Sequence, residues 1–496
     1  MVERRRRDAD SLAFSTIGGR ELLTNTRSWS RLYVNLAILA LGLCLPAIWV
    51  WAGYWNLSFN ASLSFLVDDG WCVKGVQSLA SHCFGDYAAL DDGLAAGSLW
   101  DPSLPTATPY PPIALLPGVL SVRFGELVGS WKAGRDLFLL LLAASLLTPA
   151  CWVARGRWAR RGPIALVVLG VAAAPFLIVL DRGNSVGLVV APLLGVALAY
   201  VRADYRKMVG FITICTLLKP QLILLVLLFL VYRRYSYALA TVALSVAATV
   251  AGFVFFSGSL IDNLSNWITV ITRYSKYQPI DVTYPYNLGI GKTLLTMLDL
   301  SHVLPLLGAS GGRAAIVDWL QLHNNVPVLV MLVLLVAALL LRKPGSNLIY
   351  PFLAVCALTI LTPGVSYSYY VALMLVPAAL LLRDPVRIAP SVSTAGDWFG
   401  MLDRLKGSAT RSEMIVGVAV VVGLVSLLVP LVVPVPPFLL SLPAPPAGDI
   451  LIGFLQVLYG PILLFLLILS LMMTVGRLSP KEIKSRLVDN SAAGER

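Results

Sequence analysis

Runs of apolar residues 18 or more long recur along this chain, and no other feature limits its folding so severely. Leu32–Ala52, Leu137–Ala154, Pro163–Leu180, Met414–Val433 and Ile450–Val475 are five of them. Each is long enough to cross a ~30 Å hydrocarbon core as a helix. Composition agrees: 58% of the 496 residues are hydrophobic, 13% are charged, and the mean hydropathy is +0.80. A soluble chain of this length cannot hide so much apolar surface. The expected fold class is therefore all-α, a polytopic membrane protein of about twelve transmembrane helices, and a soluble enzyme is excluded.

The net charge of +12 would suit a nucleic-acid partner, but the positions of the basic residues point elsewhere. Arg4, Arg5, Arg6, Arg7, Arg20, Arg27 and Arg31 precede the first apolar run. Others gather at Arg155 to Arg161, at Arg202, Arg206 and Lys207, at Arg233 and Arg234, and at Arg342 and Lys343. The last groups run from Arg383 to Arg411 and from Arg477 to Arg496. Short loops rich in Lys and Arg mark the cytoplasmic side. Placing all of these inside gives one path, with spans near 32–52, 133–154, 163–180, 184–202, 206–218, 220–232, 236–256, 326–342, 346–362, 368–384, 414–433 and 450–475. Both termini are then cytoplasmic, the expected location is the plasma membrane, and no nucleic acid is expected.

This path divides the chain into a basic cytoplasmic segment (1–31), a membrane core (32–385), a cytoplasmic linker (386–413), a C-terminal helix pair (414–475) and a cytoplasmic tail (476–496). No small-residue cleavage site follows the first run, which reads as a retained span rather than a signal peptide. Cys44, Cys151, Cys215 and Cys356 fall in spans, as packing residues. Cys72 and Cys83 share an outward loop where a disulfide can form, whereas one continuous helix through them would hold them too far apart. Both alternatives stand.

Two outward loops are large, at 53–132 and 257–325. The first carries Trp55, Asp68, Asp69, Trp71, Asp86, Tyr87 and Tyr110, then Ile113–Phe124, an apolar stretch too short to span and suited to lie along the outer surface. The second carries Trp267, Arg273, Tyr274, Lys276, Tyr277, Tyr284, Tyr286 and Asn287. Loops of this kind form lids and walls over a site.

Within the spans the hydrophobic run Met208–Tyr232 is interrupted by Lys219-Pro220-Gln221, with basic residues at both ends. One crossing would break the charge rule. Two short helices meeting at the Lys-Pro break repair it, and the break would then border a water-filled cavity; a single tilted helix with a snorkelling lysine is the plainer alternative. Asp181-Arg182-Gly183-Asn184 sits at an outward end between two apolar spans. Arg182 alone suits an interface anchor, and together with Lys219 it suits an anionic phosphate. Asp68 and Asp69 are the candidate catalytic residues: a carboxylate there can take a proton from an attacking hydroxyl, and two acids facing one site would raise the pKa of one of them.

These residues resemble the polyprenyl-phosphate-sugar-dependent glycosyltransferases of the GT-C superfamily, specifically family 87, also called the DUF2029 family, over about 30–385. The similar features are the acids after the first span, Tyr110-Pro111-Pro112, Arg182-Gly183-Asn184, Leu218-Lys219-Pro220, the Asn287 region and Ser366-Tyr367-Ser368-Tyr369-Tyr370. The resemblance implies a GT-C fold with juxtamembrane helices in the large outward loops. It also implies an inverting transfer of arabinofuranose or mannose from a polyprenyl-phosphate donor to a cell-envelope glycan or glycolipid at the outer face. Asp68 or Asp69 would be the base, and Lys219, Arg182 and Arg273 would hold the donor phosphate. Tyr110, Asn184, Gln221, Asn287, Tyr369 and Tyr370 would bind substrate. No cofactor is implied beyond the lipid-linked donor, and no metal, since His82, His302 and His323 are scattered. Mannosyltransferases of the family often carry Ser-Trp-x-His-His where Ser366–Tyr370 stands here, so this chain looks closer to the arabinofuranosyltransferase branch. Tyrosines at an interface also form aromatic belts. The rival classes are a secondary transporter, whose halves are related by repeats, and a lipid-linked-glycan flippase or polymerase.

Overall fold

The computed structural model describes residues 35–39, 42, 84–104, 107–155, 164, 166–256, 258–277, 287–300, 309–342, 348–363, 366–382, 411–428, 432–434, 452–454 and 458–475. The chain is mostly helical. Its first described elements are α1 (Gly85–Ala95), α2 (Pro112–Leu127), α3 (Trp131–Leu146), α4 (Thr148–Ala154), α5 (Ala174–Arg182), α6 (Val186–Val201) and α7 (Tyr205–Leu218). A 3-10 segment, Pro220–Leu227, leads into α8 (Leu228–Val231), followed by α9 (Tyr235–Gly252), α10 (Leu260–Tyr277), α11 (Ile290–Leu300), α12 (Ala309–His323), α13 (Asn325–Leu340) and α14 (Ile349–Leu361). A second 3-10 segment, Ser368–Met374, runs into α15 (Leu375–Leu382), and α16 (Arg411–Leu428) and α17 (Tyr459–Val475) close the chain. Two short strands, Val432–Pro434 and Ile452–Phe454, pair antiparallel between the last two helices.

Local chemistry sets many of these boundaries. The Ser130 side chain accepts from the Ala133 N–H at the start of α3, and the Asp204 carboxylate accepts from the Lys207 N–H at the start of α7. Pro112, Pro149 and Pro175 sit in first turns, where a missing N–H costs nothing. Gly183 ends α5 in the left-handed region at φ 61. Every residue of α14 is buried, which suits a helix apolar on all sides. It packs chiefly against α17, so the C-terminal helix joins the same core as α6, α7 and α15.

Twelve spans are expected from the sequence, and the helices are shorter and more broken than that. One described helix, Tyr235–Phe255, is long and apolar enough to cross a membrane, or up to three if each bent pair counts as one span. The reasons are local. The 133–154 run bends by 43° between α3 and α4, and a second pair bends by 59° at Asn324. In the 163–180 run a π segment at Val167–Val171 contains Gly170 in a non-helical conformation. Most of the 32–52 run lies outside the described residues, as do Asp68, Asp69, Cys72 and Cys83.

The Lys219-Pro220 break is present: α7 stops at Leu218, Lys219 is extended (φ −146, ψ 108), and Pro220 starts the 3-10 segment. The Ile113–Phe124 stretch forms most of α2, with Leu120, Phe124 and Leu127 exposed along one side.

Candidate active site

The first turn of α1 is held by a cradle that α3 and the α5–α6 turn build together. Tyr87 is 1% exposed and lies between Trp131 and Phe138, its ring 5.6 Å from each. At Gly134 a Cβ would come within 2.7 Å of the Tyr87 hydroxyl, and at Gly183 within 3.2 Å of the Tyr87 Cβ. The two glycines let three backbones approach closely. The Arg135 guanidinium lies 4.8 Å from the Phe84 ring centre, over the residue that starts α1 with a left-handed φ of 43. Burial, with the charge of Asp91 adding to it, pushes the Tyr87 hydroxyl up to about 12.

This docking aims Asp86 at the Arg182-Gly183-Asn184 turn. Arg182 Nη2 donates to Asp86 Oδ1 at 3.2 Å, and Asn184 Nδ2 donates to Asp86 Oδ2. The same Asn184 nitrogen donates to the Tyr110 hydroxyl at 2.9 Å, while Asn184 Oδ1 accepts from the Val186 N–H. Tyr110 stands on a clamped backbone. Trp100 Nε1 donates to its carbonyl at 2.9 Å, and Trp267 Nε1 donates to the Pro109 carbonyl at 3.0 Å. Burial first, and then the charge of Asp86, hold the Tyr110 hydroxyl well above its ordinary pKa, so it stays protonated at neutral pH.

Behind Tyr110 lies Lys219. Its ammonium is 3.5 Å from the Tyr110 ring centre and 5.6 Å from that of Tyr370, a cation–π arrangement. The side chain is fully buried and Nζ makes no hydrogen bond. Tyr370 also shares a side-chain hydrogen bond with Gln221, whose Nε2 has no partner. The rings of Tyr367, Tyr369 and Tyr370 follow one another, tilted, with centres 5.4 and 5.1 Å apart. Tyr369 shares a hydrogen bond with Tyr110.

A cleft opens on this cluster, lined by the polar residues Asp86, Tyr110, Arg182, Ser185, Tyr367 and Tyr369 and by the apolar residues Leu90, Leu99, Leu115 and Phe138. Carboxylate, guanidinium and tyrosine hydroxyl thus share one concave surface with an apolar wall, the usual make-up of a small-molecule site.

Seven residues singled out from the sequence meet here: Arg182, Asn184, Tyr110, Lys219, Gln221, Tyr369 and Tyr370 count among the contacts just given. Three expectations change. Lys219, expected at the edge of a water-filled cavity, is walled off by Tyr110. Asn287, expected to bind substrate, uses its Oδ1 to accept from the Gly289 and Ser366 N–H groups at 2.9 Å each and so ties down the tyrosine segment. Arg273, expected at a donor phosphate, is exposed on α10 and does not line the cleft. Asp68 and Asp69 lie outside the described residues, and among the described residues the carboxylate at the cluster is Asp86. Sequence reasoning passed over it because it was one acid among several in a long loop. The signal it offered was Asp86-Tyr87 at a helix start in the same loop as Tyr110.

No protein-family model, no curated protein and no solved structure matches the chain. The family resemblance therefore rests on the motifs themselves.

Proposed function

We propose that the chain is an integral membrane glycosyltransferase that moves a sugar from a polyprenyl-phosphate donor to a glycan or glycolipid acceptor at the outer face of the plasma membrane. The observation that carries this reading is the convergence of Asp86, Arg182, Asn184, Tyr110 and Lys219 from three distant parts of the chain in one cluster, of which Asp86, Arg182 and Tyr110 line a partly apolar cleft and Lys219 stands behind Tyr110. Membrane residence is supported by the apolar runs and by the side-specific placement of Lys and Arg. The resemblance to family 87 is in keeping with it, with Asp86 taking the role expected of Asp68 or Asp69.

In this reading an acceptor hydroxyl gives its proton to Asp86 while its oxygen attacks the anomeric carbon of the donor. The carbon–oxygen bond to phosphate breaks, and polyprenyl phosphate leaves carrying the bonding electrons. Arg182 and Lys219 offset the negative charge that grows on the leaving phosphate. The hydroxyls of Tyr110 and Tyr369, with Asn184, orient the sugar and the base. The apolar wall of Leu90, Leu99 and Leu115 suits the first isoprene units of a lipid carrier. Arabinofuranose and mannose are the sugars to compare.

The test uses purified protein in lipid with labelled polyprenyl-phospho-arabinose and polyprenyl-phospho-mannose and candidate acceptors. Transfer from one donor supports the reading. Transfer from neither, with folded protein, sinks it in favour of transport.

A further inference from the structure

The lysine and the cleft do not meet in this structure, although they lie a few ångströms apart. Tyr110 and Tyr369 line the cleft, and Lys219 does not. Between them stands the Tyr110 ring, with one face 3.5 Å from the lysine Nζ. Lys219 Nζ and Gln221 Nε2 are hydrogen-bond donors without acceptors, both next to Tyr370. Buried donors are normally satisfied, and a charged one left without an acceptor marks a place where an acceptor belongs.

We propose that Lys219 and Gln221 form a cryptic anion site, and that the Tyr110 side chain is its gate, swinging aside to let a phosphate oxygen of a lipid-linked ligand reach the lysine. The inference rests on the glycosyltransferase reading for the identity of the ligand, and on geometry for the gate.

The gate has a fixed hinge and a movable leaf. The Tyr110 backbone is pinned by Trp100 and preceded by a carbonyl that Trp267 holds, and Pro111 and Pro112 follow it. The side chain is held by weaker bonds: one from Asn184 to its hydroxyl, one shared with Tyr369, and the cation–π contact. A phosphate offers Lys219 a charge-assisted hydrogen bond, which is stronger than any of these.

Amine modification read by mass spectrometry tests this without any sugar donor. Purified full-length protein in lipid is treated with a small acylating reagent, and labelling of Lys219 is followed against the exposed Lys132 as internal standard. Wild type and Tyr110→Phe, which keep the ring, are expected to leave Lys219 at least about tenfold less reactive than Tyr110→Ala. Equal Lys219 rates in the three proteins overturn the gate. A second measurement uses unaltered protein and a short-chain polyprenyl phosphate. The observed binding rate is expected to level off with concentration, because opening precedes capture, and a rate that rises linearly up to the fastest measurable values overturns it. Binding with a linear rate removes the gate and leaves the transferase reading intact. No binding of polyprenyl phosphate at all removes both.

Discussion

At the scale of single residues the site is a set of charges held in unusual surroundings. Lys219 is the extreme case, a fully buried amino group beside two aromatic faces. Burying a lysine in this way costs stability that ring contacts recover only in part. Lys219→Met is therefore expected to raise stability by about 1–3 kcal/mol in thermal unfolding while weakening polyprenyl-phosphate binding by roughly tenfold or more. Lower stability together with unchanged binding would mean that the ammonium has a structural partner. Tyr87 allows a second prediction. Its hydroxyl makes no hydrogen bond and is pushed up to about 12, against an ordinary 10.0. The folded protein thus holds that proton more tightly than the unfolded chain does. The stabilisation is complete below about pH 10 and is lost as pH rises from there through about 12. Tyr87→Phe should stay within about 1 kcal/mol of wild type at neutral pH and lose less stability than wild type between pH 10 and 12 in chemical unfolding. Much of the residue-level site was legible, because Lys219, Arg182 and Asn184 stand out against apolar runs. Asp86 was hardly legible: its partners are 96 and 98 residues away, and the Asp86-Tyr87 pair at a helix start is a weak signal among the other acids of the loop.

At the scale of elements the site depends on how three helix ends meet. α1 enters the cradle of α3, and the α5–α6 turn closes on it through Gly183. That glycine has a left-handed φ of 61 and a neighbouring Tyr87 Cβ that a side chain would crowd. Gly183→Ala is expected to destabilise the fold by about 1–2 kcal/mol, from the left-handed conformation alone, and to lower transfer by moving Arg182 and Asn184 together. Thermal unfolding and the transfer rate of the same preparation check both halves, and an alanine variant as stable as wild type would show that the turn relaxes freely. The break at Lys219 was legible because proline cannot continue α7 without losing a hydrogen bond. The bend between α3 and α4, the π segment at Val167–Val171 and the 59° turn at Asn324 were not. The first two lie inside apolar runs, where hydropathy reports length and burial but not local backbone geometry, and the polar residues around Asn324 mark the end of a span without giving its angle. Apolar sequence also concealed the short strand pair between α16 and α17.

For the molecule as a whole, the claim is that its apolar helices lie in a bilayer with the cleft on the outer side. Composition and the distribution of Lys and Arg carry that claim. It predicts opposite labelling of two exposed positions. A cysteine replacing Ser103, in the loop before Tyr110, should react with a membrane-impermeant thiol reagent in intact cells. One replacing Lys207, at the start of α7, should react only after permeabilisation. The reverse pattern would put the cleft on the cytoplasmic side.

The most direct test of the account compares wild type and Asp86→Asn in the transfer assay, purified in lipid with the donor that wild type accepts. Asp86→Asn is expected to lower kcat by roughly 10²- to 10⁴-fold, to retain binding of polyprenyl phosphate, and to leave the protein folded. An Asp86→Asn enzyme that transfers sugar at the wild-type rate would contradict the account.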